Sequence, residues 1–298
     1  MVIYNLLLFT LVLIIYVVTI CGNFLIIILI YYSKTLHSPM YFFLSQLSIS
    51  DIILTTVITP NMMNIVLHER TIISFSDCIT QYYVFSLIEI FECYFLTVMA
   101  YDRYLAICSP LHYVCIMKQT FCIKLILASW LLGCLLAFIL TLGVYQLEFC
   151  GPNVIDYFYC DLNPLLELSC SDTSRVQMEA IVLCFLVIVL SFLMLVVSYT
   201  YIVLNLLKIP SFSGRLKSFS TCSSHLTVVF IFYGTLTAMY LIPKKGQSQM
   251  ISKVLSLLYT VFTPFLNPFI YSLRNKDIKG IFFKKTLYIN TGFLFTKK

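Results

Sequence analysis

Charge is what this sequence has least of. Only 11% of its 298 residues are Asp, Glu, Lys or Arg, against 60% hydrophobic, and the mean hydropathy is +0.96. A soluble domain is nearer a quarter charged, so the composition excludes a water-soluble globule and indicates a multi-span membrane protein. Low-complexity tracts, internal repeats and Gly/Ser linkers are missing too, which leaves no sign of a second domain. No His-Glu-x-x-His, no phosphate-cradling Gly-rich loop and no Gly-x-Ser-x-Gly elbow occurs, so soluble-enzyme chemistry has no foothold. The four histidines lie on separate segments and do not form a metal cluster. The paired halves expected of a transporter are absent as well. Tryptophan occurs once, as Trp130, and there is no Asn-x-Ser/Thr sequon anywhere.

What is present is a series of long apolar runs. Met1 to Ser33 carries no charge, is too long for a signal-peptide core and has no basic segment before it. It therefore reads as the first transmembrane helix, over residues 6–30. Further spans are expected at 40–67, 75–107, 125–145, 180–207, 218–242 and 254–273. The fold class is then an all-α integral membrane bundle of seven helices in a single domain, 1–298. After Arg274 the chain turns basic, with Ile278, Ile281 and Phe282 on one face, which predicts a short amphipathic helix on the membrane surface.

With the N-terminus outside, all lysines and arginines except Arg70, Arg175, Lys244, Lys245 and Lys253 fall on the inner side. This obeys the positive-inside rule and places the C-terminus in the cytoplasm. Cys78, Cys150, Cys160 and Cys170 then lie on the outer, oxidising side, where four cysteines allow three disulfide pairings. The outer loop 146–179 holds Glu148, Asp156, Asp161, Glu167 and Asp172, and reads as a solvated lid or as a field that steers cations.

The acids inside the spans carry the functional expectations, because ionisable groups in a bilayer face a protein interior rather than lipid. Asp51 interrupts the second span, and Glu89 and Glu92 share one face of the third. At the inner end of that helix stands Met99-Ala-Tyr-Asp-Arg-Tyr, followed by Pro110. On its own, the Asp102–Arg103 pair has a plainer reading as an interfacial anchor of the helix end.

Other stretches do not leave it on its own. They are Gly22-Asn23, Leu36-His-Ser-Pro-Met-Tyr-Phe-Phe-Leu44, Leu47-Ser-Ile-Ser-Asp51, Met99–Tyr113, Ser198-Tyr199, Lys217-Ser-Phe-Ser-Thr-Cys-Ser-Ser-His225 and Pro264-Phe-Leu-Asn-Pro-Phe-Ile-Tyr271 running on to Asn275. Together, in this order, they resemble the rhodopsin-like G-protein-coupled receptors and, within them, the tetrapod-type olfactory receptors. The resemblance implies a receptor rather than an enzyme. A small volatile odorant would bind in the outer half of the bundle, and a stimulatory G protein would raise cAMP. The setting would be the plasma membrane of sensory cilia, with lipid but no nucleic acid among the partners.

The same resemblance assigns roles to residues. Phe85, Ser86, Glu89, Ile90, Leu183, Cys184, Val187, Leu236, Thr237, Tyr240 and Thr260 would line the ligand pocket. Asp102, Arg103, Tyr104, Tyr199, His225, Tyr233, Pro268 and Tyr271 would serve activation and G-protein coupling. Asn23, Asp51, Glu92 and Asn267 would form a mid-membrane polar core able to hold a sodium ion or a proton near Asp51 and Glu92; no other cofactor is implied. The disulfides would be Cys78–Cys160 and Cys150–Cys170. Tyr157 stands where many relatives carry His, so metal-assisted sensing through that position is not expected. Glu89 would either be ionised and favour amine ligands, or be kept neutral by desolvation and act as a hydrogen-bond donor.

The missing sequon departs from the family pattern, in which an outer segment carries one. It predicts a truncated start or poor delivery to the cell surface. A receptor for a non-volatile ligand, a transporter or channel, and a non-functional remnant are the competing readings.

Overall fold

The computed structural model describes residues 2–33, 36–68, 72–150, 154–241 and 249–274. Apolar runs become helices because a backbone in lipid must satisfy its own hydrogen bonds. The helices are α1 (Val2–Tyr32), α2 (Pro39–His68), α3 (Phe75–Cys108), α4 (Pro110–Ile116), α5 (Gln119–Tyr145), α6 (Leu162–Leu168), α7 (Ser174–Leu207), α8 (Phe212–Leu241), α9 (Gln249–Leu257) and α10 (Thr263–Arg274). A π turn, Leu258–Phe262, joins α9 to α10 into one span. Six helical stretches among the described residues are long and apolar enough to cross a membrane, and α8 adds a shorter apolar core, Cys222–Ala238. The result is a seven-helix membrane bundle whose only extended pairing among the described residues is the bridge Phe149–Ser169. The expected surface helix after residue 274 lies outside the described residues.

Helices overrun the spans expected from the sequence. Hydropathy marks only the part within lipid, while hydrogen-bonded turns continue into the interface. Thus α5 begins at Gln119 rather than 125, and α7 at Ser174 rather than 180. The exposed i,i+4 pair Arg175–Glu179, with Nε to Oε1 at 2.9 Å, sits on this extra turn of α7. Capping sets other ends. Ser74 accepts the Asp77 N–H at 3.1 Å to start α3, and Pro110 opens α4 immediately after Ser109 ends α3. The lid expected as one polar loop, 146–179, contains α6, whose N-cap Asp161 accepts the Leu162 N–H at 2.8 Å.

The third span is the axle. Of its apolar stretch 67% is buried, against 22% for α7, whose other faces meet lipid. Phe91 stacks on Phe95 at 4.8 Å and on Trp130 of α5 at 4.1 Å, and Trp130 Nε1 donates to Gln46 of α2 at 3.4 Å. Small residues permit the closest approaches. A Cβ on Gly133 would sit 3.2 Å from the Leu87 carbonyl oxygen of α3. A Cβ on Gly22 of α1 would meet the Pro268 ring at the same distance.

Candidate functional site

At the outer end, two disulfides organise the lid. Cys78 of α3 bonds Cys160, and Cys150 bonds Cys170, with Cα–Cα distances of 5.5 and 5.7 Å. Gln81, one turn into α3, clamps the same strand of loop: it accepts the Cys160 N–H at 2.9 Å and donates to the Val57 carbonyl at 2.9 Å. Asp156 pairs with Lys253 of α9, closing the lid against the last span. Burial pushes the Tyr157 and Tyr159 phenols in this loop above the ordinary tyrosine range, with Asp161 adding to the shift.

Beneath the lid lies a cavity of about 570 Å³, part of it open to solvent. Phe85, Ser86, Glu89 and Ile90 of α3 line it together with Leu183, Cys184 and Val187 of α7, as do Tyr82, Cys93, Leu140, Asp161, Leu162, Ala180 and Ile188. The latter set was not assigned to the pocket from the sequence, where Asp161 was named only among the lid acids. Helical spacing would have found most of it, since Tyr82 and Cys93 lie on the face of Ser86 and Glu89, and Ile188 is one turn from Cys184. Asp161 and Leu162 follow directly from the loop's tether at Cys160.

Leu236, Thr237 and Thr260 do not line this cavity. Phe85 contacts Tyr159 at 5.0 Å and Tyr259 at 6.0 Å, and Phe232 meets Tyr259 at 5.7 Å. These rings fill the space between α3 and the last two spans. Leu236 is buried, Thr237 is exposed, and Thr260 turns its hydroxyl onto the Ser256 carbonyl at 2.8 Å. The side chain of Tyr240 lies outside the described residues.

One level deeper, Tyr233 of α8 donates to Ser191 Oγ of α7 at 2.6 Å and reaches the Cys93 carbonyl of α3 at 3.5 Å. It thus touches the span below the cavity on two sides. The buried polar core is divided into separate contacts. Asn267 donates to both Asp51 oxygens at 3.1 and 3.0 Å, and Ser50 donates to Glu92 Oε1 at 3.1 Å. Asn23 bonds the Thr19 and Pro264 carbonyls at 3.1 and 3.3 Å, tying α1 to the last span.

At the inner end Arg103 is bound to Asp102, its Nε lying 2.9 Å from Oδ2, and both are buried. Tyr113 of α4 donates to the other Asp102 oxygen at 3.0 Å. Burial, with Asp102 beside it, pushes that phenol up. Tyr113 ends the sequence motif, but its role as third member of the pair was missed. Tyr199 stacks on His225, with its hydroxyl 2.5 Å from Nδ1, rather than reaching Arg103. A smaller pocket here is walled by Met40, Phe43, Met99, Asp102, Arg103, His225 and Tyr271. Tyr104 packs on Tyr101 and Tyr201, and Pro268 rests against Gly22.

A family model described as "Olfactory receptor" matches residues 12–288 of this chain. The chain belongs to the olfactory receptor family. It is 49% identical over 274 residues to olfactory receptor 10A2 of Homo sapiens, covering 92% of this chain and 90% of that protein. It is 48% identical over 273 residues to olfactory receptor 9S13 of Mus musculus, covering 92% and 82%. Squid rhodopsin, at 16% identity, superposes with a TM-score of 0.74 over 93% of this chain and 83% of its own, which shows the fold. This olfactory receptor is therefore a multi-pass membrane protein with the seven-helix fold seen in squid rhodopsin, and its family comprises signalling receptors rather than enzymes.

Proposed function

We propose that this olfactory receptor binds a small volatile odorant in the cavity between α3 and α7 and activates a stimulatory G protein to raise cAMP. The observation that carries the reading is the convergence of Phe85, Ser86, Glu89, Ile90, Leu183, Cys184 and Val187 on one mainly apolar cavity with a few polar groups. Tyr233, bonded to α7 and α3 below that cavity, is the element through which a ligand shifts α8. On activation Arg103 leaves Asp102 and turns to Tyr199, Tyr271 and the G protein. The site of action is the plasma membrane of sensory cilia.

Asp51 and Glu92, with Ser50 and Asn267, present hard oxygen donors of the kind an alkali cation prefers. They are the residues that would hold a sodium ion, or share a proton, in the resting state.

The test is a cAMP assay in cells carrying an olfactory stimulatory G protein, with surface labelling and a mixed odorant panel. Arg103→Ala runs alongside. An odorant response lost in that variant at equal surface density is expected. Full surface delivery with no response to any odorant, or a response that survives Arg103→Ala, defeats the reading.

A further inference from the structure

The cavity has a charge character that its volume does not convey. Two carboxyl side chains belong to its wall, Glu89 from the middle of α3 and Asp161 from the lid, and among the described residues no Lys, Arg or His lines it. Most of the remaining wall is apolar. Asp161 is 6% exposed and is fixed in place as the N-cap of α6. Its position is set from two directions, because the preceding residue is both disulfide-bonded to Cys78 and hydrogen-bonded to Gln81.

Carboxylates facing an apolar space are costly to keep ionised, and two around one space repel each other. A ligand bearing a positive charge relieves both effects at once. A neutral ligand relieves neither, and an anionic one makes both worse. The lid carries further acids, Glu148, Glu167 and Asp172, beside an Asp156 already paired with Lys253.

We propose that the cavity selects protonated aliphatic amines, with Glu89 as the counter-ion and Asp161 reinforcing the field. The alkyl chain lies along Ile90, Leu183, Val187 and Ile188. A primary alkylamine resembles a lysine side chain and is an ammonium ion at neutral pH. This inference rests on the cavity being the ligand site, as proposed above.

Three probes sharing one tail test it: n-hexylamine, 1-hexanol and hexanoate. Each is titrated at neutral pH against purified full-length receptor in lipid nanodiscs, with no G protein present and thermal unfolding as the readout. The expected order of affinity is ammonium, then hydroxyl, then carboxylate. Glu89→Gln should weaken hexylamine by about ten- to a hundredfold, the range for a hydrogen bond to a charged group, and leave hexanol within about twofold. Hexanol binding to that variant also reports that its cavity is intact. Glu89→Asp, which keeps the charge, should restore part of the amine preference. Hexanol bound as tightly as hexylamine, or Glu89→Gln weakening both alike, overturns the amine inference and leaves the ligand site standing. Failure of all three probes to bind overturns both.

Discussion

A methyl group added at Gly133 should loosen the contact between α3 and α5, whereas the same change at Gly234 should not. At Gly133 the new Cβ would lie 3.2 Å from the Leu87 carbonyl oxygen and 3.5 Å from Phe91 Cβ, so α5 must retreat by a few tenths of an ångström. The partner at 3.2 Å is backbone, which cannot rotate away. Overpacking of this kind costs about 1–3 kcal/mol. Replacing a helical glycine by alanine returns up to about 1 kcal/mol. Gly133→Ala should therefore destabilise by up to about 2 kcal/mol, and Gly133→Val, with two further methyls, by more. A Cβ on Gly234 meets nothing within 4 Å, so Gly234→Ala keeps the helical gain without the clash. Trp130 offers the readout. It is the only tryptophan and stacks on Phe91 at the contact being strained, so its emission during thermal unfolding follows that interface. Opposite signs are expected, with the midpoint down for Gly133→Ala and unchanged or up for Gly234→Ala. A rise in both would refute the view that Gly133 exists to let two helices touch.

Asn267→Ala should destabilise the purified receptor by about 1.5–3 kcal/mol, because Asp51 loses the donor to both its oxygens. Adding Asp51→Asn should recover part of the loss, and strict additivity in that double-mutant cycle would count against a direct pair. Cys78→Ser should cost about 2–4 kcal/mol in thermal or denaturant unfolding. Cys150→Ser should cost less, since Cys150 and Cys170 are exposed whereas Cys78 and Cys160 are packed in the outer core. Ser174 hydrogen-bonds hold the Asp172 carboxyl below the usual range, so what this contact contributes is present above the unfolded-state value and lost as pH falls through the folded one. Ser174→Ala should move the Asp172 titration upward in an NMR titration of labelled aspartate.

Much of this architecture was legible in the residues. Long uncharged runs announce spans because lipid admits little else, and the motif from Met99 to Tyr113 points to the inner end of α3. Family correspondence assigned Phe85, Ser86, Glu89 and Ile90 to the pocket, and all four line the cavity. Contacts made across the fold were not legible. Asp161 reaches the cavity only because Cys160 is tied to α3. Thr260 is buried and turns its hydroxyl onto the Ser256 carbonyl of its own span. The seven-residue α6 is too short to show a period, and nothing in Leu258-Tyr-Thr-Val-Phe262 betrays a wider turn. The placement of Asp161 depends on partners distant in the chain, whereas hydropathy and local spacing read only neighbours.

That wider turn has a consequence for chain length. A π turn carries one residue more than the α-helix around it, and each α-helical residue advances the helix by about 100°. Buried Tyr259, Thr260 and Val261 occupy that surplus. Counting helical positions in fours across residues 258–262 therefore goes out of phase by one residue. Residues on the Gln249 side and those around Asn267 and Tyr271 obey separate wheels. Deleting one residue within the turn would remove the surplus and restore α-helical continuity, with α9 keeping its facing and Asn267 and Tyr271 left in place. Elsewhere in the last span the same deletion has no such outlet and would drag the inner residues out of register. The turn is thus the joint at which this span can gain or lose one residue while its outer and inner halves both keep their address.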